Sequence, residues 1–297
     1  MGILAHNGSS ILAQVACIWE ATARKVGNVH PGASFKDVEY TDFLISGAVL
    51  GDALRMFRRK AGDPTLVGEY VFWSEASGWV GSNTNLGIAL LLAPLVDSVP
   101  TWDYRRSVAE ELGALRRSDT VRVYQAIRSA NPGGLGDAPE QDVREEPTVT
   151  LLEAMRLAAD RDMVARQYAN GFADVFDFGV PAFLAGLERF GCVEAAIIDS
   201  QLRWLAEYPD SLIARKRGTE VAADVQKRAA EVLRLGGIAT TEGRRAGVEL
   251  DRHLRSDGNK LNPGTTADLI TACLFVALRE NKVAPNAPFR WHAPDWL

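Results

Sequence analysis

The chain has 297 residues, 47% of them hydrophobic and 24% charged, with a formal net charge of −5 at pH 7. This is ordinary globular composition, and it excludes disordered, collagenous and disulfide-scaffold proteins. Thirty-three basic residues against thirty-eight acidic ones leave no basic excess of the kind that marks a nucleic-acid binder.

Apolar residues recur at helical period along most of the chain, and almost nowhere alternate like a half-buried strand. Ser10 to Lys25 sets Ile11, Val15, Ile18 and Trp19 on one stripe, with Ser9 or Ser10 as cap. Thr41 caps a helix to about Lys60, stopped by Gly62 and Pro64. Further helices are expected near 65–80, 86–98, 103–116 and 119–130. A polar loop runs from Asn131 to Pro147, as a domain boundary or as a functional loop within one domain. Helices resume near 148–160, 162–176, 180–190, 193–207, 211–235, 240–255 and 265–281. The expectation is a single all-α, multi-helix globular domain over residues 1–297.

Cys17, Cys192 and Cys273 are far apart and form no Cys-x-x-Cys pair, so they read as reduced thiols of a cytoplasmic protein. The N-terminal residues lack a basic n-region and a long apolar h-region. The longest apolar run, Ile88 to Val96, contains Pro94 and falls well short of the roughly 20 residues that a membrane helix needs. No membrane and no nucleic-acid partner is expected. Dimerisation through helix packing stays open.

The sequence has no Walker loop, no His-Glu-x-x-His and no Gly-x-Ser-x-Gly. Gly133, Gly134 and Gly136 follow a helical pattern, not the strand that a dinucleotide fingerprint needs. The histidines His6, His30, His253 and His292 are scattered, which disfavours a transition-metal cluster.

Four polar clusters fall at expected helix ends, where free backbone N–H groups and glycines make anion sites. The first holds Lys25, Gly27, Asn28 and His30, followed by Asp37; it is a phosphate or sugar contact, or a plain helix C-cap. The second, Asn83, Thr84, Asn85 and Gly87, suits a ribose, a base edge or a phosphate, or caps a helix. The third places Asp210 and Ser211 before Arg215, Lys216 and Arg217. Cations so near a helix start oppose its dipole, so they either meet an anion or form a solvated face. The fourth, Asn262, Gly264, Thr265, Thr266 and Asp268, opens the last long helix. There Asp268 answers the helix dipole or faces a ligand. Asp142, Glu145 and Glu146 lie in the 131–147 loop and either bind Mg²⁺ through oxygen or are solvated. Asp174 and Asp177 share a helix face among aromatics, so they pair with arginines or face a site. Asp199 poses the same question.

Together these clusters resemble the ATP:dephospho-CoA triphosphoribosyltransferase family. A Lys-Pro-Gly-(Asn/Leu)-Val element corresponds to Lys25-Val26-Gly27-Asn28-Val29, an Asn-Thr-x-x-Gly element to Asn83 through Gly87, and a Pro-Gly-x-Ser/Thr-Ala-Asp-Leu element to Pro263 through Leu269. The order covers about residues 12–280. Asn85-Leu86 replaces the His-Lys of members linked to citrate and malonate decarboxylases, and no histidine follows Gly32-Ala33, which marks a divergent subgroup.

The resemblance implies an all-helical enzyme that joins C1′ of the ATP ribose to the 2′-hydroxyl of 3′-dephospho-CoA and releases adenine. The product is a prosthetic-group precursor. ATP, Mg²⁺ and dephospho-CoA, or a related acceptor, would be its ligands. Lys25, Arg215, Lys216 and residues 262–266 would hold the triphosphate. Asp37, Asp268 and Asp174, in that order, are candidates for the catalytic carboxylate. Asn83, Asn85 or His30 would help adenine leave. Two other readings stand beside it. One is a related glycosyl or phosphoribosyl transferase with another acceptor, in methanopterin-type one-carbon cofactor biosynthesis. The other is a non-catalytic helical nucleotide binder.

Overall fold

The computed structural model describes residues 2–56, 65–76, 79, 84–98, 103–132, 138–293 and 296–297, with side chains from residue 8 onward and excepting that of residue 76. Among them the regular structure is helical, apart from two isolated bridges at His30–Ala33 and Phe35–Val38. The α-helices are α1 Gly2–Thr22, α2 Tyr40–Met56, α3 Val67–Ala76, α4 Leu86–Asp97, α5 Tyr104–Ala114, α6 Arg117–Ala130 and α7 Leu151–Ala158. They continue with α8 Met163–Asn170, α9 Val180–Phe190, α10 Val193–Glu207, α11 Ser211–Arg217, α12 Thr219–Arg234, α13 Thr241–Arg255 and α14 Gly264–Arg279. This is the all-α single domain expected from the periodicity.

Two largely buried helices lie at the centre. α4 buries every residue except Gly87, and α14 buries twelve of its sixteen. A helix apolar on nearly every side, as α4 is, can be satisfied only inside a core. α10 joins the two halves of that core. Its Ile197 and Trp204 belong to the cluster built on α4 and α14, while its Ile198 and Leu202 pack with α12 and α13. One helix shared in this way leaves no seam for a domain boundary. The described residues 138–149 are tied to α6: Tyr124 donates to the Gln141 carbonyl at 2.5 Å and Thr120 to that of Val149 at 2.9 Å.

Four elements depart from the sequence expectation. α2 begins at Tyr40, so Thr41 lies inside it and does not cap it. α1 begins at Gly2, so Ser9 and Ser10 lie inside it and cap nothing. Its buried face is Ala13, Ala16, Cys17 and Glu20, whereas Ile11 and Ile18 are 59% and 46% exposed. The reason is close approach. A Cβ on Gly51 of α2 would meet the Gln14 side chain at 2.1 Å, and one on Gly47 would meet Cys17 at 3.0 Å. Small residues let the backbones approach, and the larger isoleucines are turned outward.

The helix expected over 162–176 ends at Asn170. Gly171 (φ 67°) and Phe172 (φ 60°) are left-handed, and a π-helical turn follows at Asp174–Gly179. Glycine makes that left-handed stop inexpensive. The helix expected over 211–235 is broken at Gly218, whose φ of 96° and ψ of 158° only glycine adopts readily.

Candidate active site

Helix ends from both halves of the chain surround one cleft of about 360 Å³. Asn28, Thr84, Gly87, Asp142, Arg215, Lys216, Asn262, Gly264, Thr265 and Asp268 all line it. Members of all four clusters therefore meet, along with Glu140 and Asp142 of the 131–147 loop. Asn83 lies outside the described residues.

Local capping explains how the polar end is built. Asp210 is the N-cap of α11, and its Oδ1 accepts from Leu212 and Ile213 N–H at 2.9 and 3.0 Å. Its Oδ2 accepts from the N–H and hydroxyl of Thr266, both at 2.8 Å. One buried carboxylate thus binds the starts of α11 and α14 together. Ser211 donates to Thr265 at 3.1 Å. Asp210, Ser211 and Thr266 are frame residues and do not line the cleft. A Cβ on Gly264 would lie 2.6 Å from Leu212, so glycine is needed where the two helices touch.

The 25–30 segment is likewise mostly frame. Lys25 is fully buried and pairs with Glu20 at 2.9 Å. It also donates to the Glu20 and Ala23 carbonyls. It does not reach the cleft, so it is not in place to clamp a phosphate. Gly27, at φ 70°, has no room for a Cβ, which would lie 2.7 Å from Leu254. Its N–H donates to Asp251 at 2.8 Å. His30 is buried, accepts from the Gly32 N–H at 3.2 Å, and is absent from the cleft wall. Burial, then the nearby Arg255, Lys25 and Arg24, push its pKa down to about 4. It is neutral at pH 7 and does not approach the leaving base. Asn28 does reach the cleft, held by Gln201 at 2.7 Å and Asn262 at 2.6 Å.

Asn85 occupies the N-cap of α4 without a capping bond, and its buried amide nitrogen has no partner. Asp37 is exposed, accepts from Asn259 at 2.7 Å, and lies outside the cleft. It steadies Asn259, which does line the cleft. Asp174 accepts from Arg166, Gln167 and Asn170 at 2.8, 2.9 and 2.9 Å. Asp177 is bidentate with Arg105, and Asp199 pairs with Arg203. The aromatic-flanked carboxylates and Asp199 therefore take the structural alternative.

The loop carboxylates do not form a metal site. Asp142 is held by Arg144 at 2.7 and 2.8 Å and by the Ala138 N–H at 3.0 Å. Glu146 pairs with Arg117 at 3.2 Å, and Glu145 is exposed. Among the described residues no group of three or more His, Cys, Asp or Glu converges as a metal site. Arginines hold Asp142 and one oxygen of Glu146.

Asp268 differs from all of these. α14 begins at Gly264, so Asp268 lies a full turn in, beyond the dipole position expected for it. It accepts no hydrogen bond from any described residue, and it faces the cleft. Its Oδ2 is packed so closely on Gly87 that a Cβ there would lie 2.0 Å away. Burial, then the negative Glu20 and Asp210, raise its pKa well above the usual carboxylate range, with Arg215 opposing. A carboxyl with raised proton affinity and no partner is equipped to take a proton.

Sequence reasoning missed several cleft residues: Glu20, Arg161, Asp162, Asn259 and Tyr124. Glu20 had a signal, because it stands three, four and seven residues after Cys17, Ala16 and Ala13. A carboxylate on that small-residue stripe must be buried and partnered. Asp162 caps α8 through Oδ1 and pairs with Arg215 through Oδ2. Arg215 still keeps a buried Nε without an acceptor, and Lys216 forms no ion pair among the described residues.

Fold and site together define an all-helical small-molecule binding protein whose cleft combines cations and helix starts with apolar walls. Residues 8–286 match the CitG family, described as ATP:dephospho-CoA triphosphoribosyl transferase, and the chain belongs to that family. A Pseudomonas syringae pv. syringae protein named as a 2-(5''-triphosphoribosyl)-3'-dephosphocoenzyme-A synthase is 32% identical over 69% of this chain and 84% of its own length. A Pseudomonas savastanoi protein of the same name is 27% identical over 66% of this chain and 80% of its own. A crystal structure described as a triphosphoribosyl-dephospho-CoA synthase from Archaeoglobus fulgidus superposes with a TM-score of 0.61 at 25% identity. It covers 80% of this chain and 98% of that one. The family's reaction is the first of the three sequence readings, so this chain is a triphosphoribosyl transferase, with ATP and dephospho-CoA as the family's substrates. Among the described residues, no helix is long and apolar enough to cross a membrane.

Proposed function

We propose that this cleft transfers the 5-triphosphoribosyl group with Asp268 as its proton acceptor. The observation that carries the reading is the unpaired Asp268 carboxyl between the α11 and α14 starts and the Glu20–Lys25 pair. The triphosphate lies against Lys216, the unused Nε of Arg215 and the start of α14 at Gly264–Thr265. Charge-assisted donors and a helix N-terminus suit that anion. ATP enters as its magnesium complex. A magnesium ion carried on phosphates needs only one or two protein carboxylates, and Glu20 is the one that would hold it.

The acceptor's 2′-hydroxyl oxygen forms the bond to C1′, and the C1′–N9 bond breaks with its electron pair going to adenine. The hydroxyl proton passes to Asp268, and adenine takes up a proton from water as it leaves. The charge developing at C1′ is positive, as in glycoside cleavage, and Glu20 and Asp268 supply negative potential nearby. Three free, buried cysteines suit a reducing compartment, and we place the enzyme in the cytoplasm. The test is to incubate protein, ATP, Mg²⁺ and dephospho-CoA and separate the products by chromatography with mass detection. Equal amounts of adenine and triphosphoribosyl-dephospho-CoA are expected. ATP recovered intact overturns the reading.

A further inference from the structure

The cleft extends beyond its polar end into a lobe whose walls are apolar. Ile88 and Leu90 of α4, Ile127 of α6, Met155 and Ala158 of α7 and Val164 of α8 line it. Leu157 adds an apolar rim that is 46% exposed. This is far more apolar surface than a triphosphate or a ribose can cover.

The outer wall is built rigidly. Tyr124 holds the Gln141 carbonyl, and Arg128 holds that of Val143 at 2.6 Å. Gln141 bonds Thr148 twice, at 2.8 and 3.0 Å. It adopts a left-handed φ of 52° to do so, a cost that persists only where surrounding bonds impose it.

Arg161 stands where the lobe meets the polar end. It neighbours Asp162, which ties α8 to Arg215. Arg161 is exposed and lines the cleft, its guanidinium donates only to the Leu157 carbonyl at 3.2 Å, and it has no carboxylate partner among the described residues. So the cleft offers a second free cation, and an apolar trench runs on from it.

We propose that Arg161 binds the diphosphate of the acceptor and that the lobe receives its pantetheine arm. This rests on the reading of the cleft as a triphosphoribosyl transferase site. The chemistry matches part by part. The donor's charge is used up at α11 and α14. The ribose hydroxyl must reach Asp268. What remains of dephospho-CoA is its adenine, on the ribose itself, and a diphosphate followed by a long, uncharged chain carrying a gem-dimethyl group, two amides and a terminal thiol. A cation followed by an apolar trench recognises that sequence of groups.

The test is steady-state kinetics with each substrate varied in turn. Arg161→Gln should raise KM for dephospho-CoA about tenfold and leave kcat and KM for ATP within about twofold, with Arg161→Lys recovering part of the loss. Ala158→Trp fills the lobe and should raise the same KM at least as much. Leu157→Ser, at an exposed position, gives a smaller rise and guards against misfolding of the tryptophan variant. 4′-Phosphopantetheine should inhibit competitively against dephospho-CoA but not against ATP, and less in Ala158→Trp and Leu157→Ser. If KM for ATP rises instead, the lobe holds the donor's adenine and the proposal falls. If wild-type protein turns over but no variant moves either KM, it falls as well. If wild-type protein makes no triphosphoribosyl product, the underlying functional reading fails first and takes this inference with it.

Discussion

Asp174 and Asp268 stand at opposite extremes of one question. Both are aspartates in the first turns of a helical segment, and both have charged neighbours. Asp174 opens the π-helical turn and has three side-chain donors within 2.9 Å, Arg166 among them. Those donors hold its carboxyl below the usual range despite burial. Asp268 has none, and burial and negative neighbours move it the other way. A partnered carboxylate is already stabilised in its charged form and gains little by accepting a proton. An unpartnered one has its stabilising interactions still to make, with substrate. The residue that looks strained in the resting protein is therefore the one suited to chemistry.

Removing the charge at each position should separate the two. Asp268→Asn is expected to cut kcat by about 10²–10⁴-fold, with thermal stability unchanged or raised, because a carboxyl that burial and negative neighbours disfavour in its charged form is lost. Unchanged turnover would exclude Asp268 as proton acceptor. Gly87→Ala tests the same position without touching the carboxylate. Its Cβ would lie 2.0 Å from Asp268 Oδ2, so the carboxyl must move. A loss of about 10²-fold in kcat is expected for a displacement near 1 Å. Wild-type turnover with a normal circular dichroism spectrum would mean that the position of this carboxyl does not matter.

Much of the fold was legible because its signals are local. The apolar run Ile88 to Val96 lies in α4, and the helices expected near 193–207 and 265–281 are α10 and α14 to within two residues. The split at Gly218 was missed because helical residues flank it and a lone glycine is tolerated within a helix. The site was legible as clusters but not as roles. Lys25 reads as a free cation beside a glycine. It is buried because α10 covers the segment, with Gln201 bonding both Val26 and Asn28 across more than 170 residues. Asp142 reads as a metal ligand until Arg144, two residues on, turns back onto it. Local sequence shows which groups are present. Long-range packing decides which are left without partners, and that separates Asp268 from Asp37 and Asp174.

Asp174→Ala carries the comparison to its structural side. It removes an acceptor shared by Arg166, Gln167 and Asn170, where the carboxylate is nearly buried and the guanidinium half-exposed. A loss of about 1–3 kcal/mol in denaturant unfolding is expected, with kcat per folded molecule unchanged. A kcat that falls along with stability would place Asp174 in the reaction after all.

The smallest effect concerns His30, a third buried group that sits beside the cleft yet outside it. Its folded pKa is depressed to about 4 from an ordinary 6.5, mainly by burial and then by Arg255. The unfolded chain therefore binds a proton that the folded protein refuses. Its contribution is fully present above pH 6.5 and is lost as the pH falls toward 4. Stability should drop by about 1 kcal/mol over the first pH unit below 6.5. His30→Gln keeps an acceptor for the Gly32 N–H and removes the titration, so its urea midpoint should vary less between pH 6.5 and 5.5. The adenine-releasing step should keep the wild-type pH profile in that variant. If the profile shifts instead, His30 acts on the leaving base despite its burial, and the division between frame and site drawn at residues 25–30 is in the wrong place.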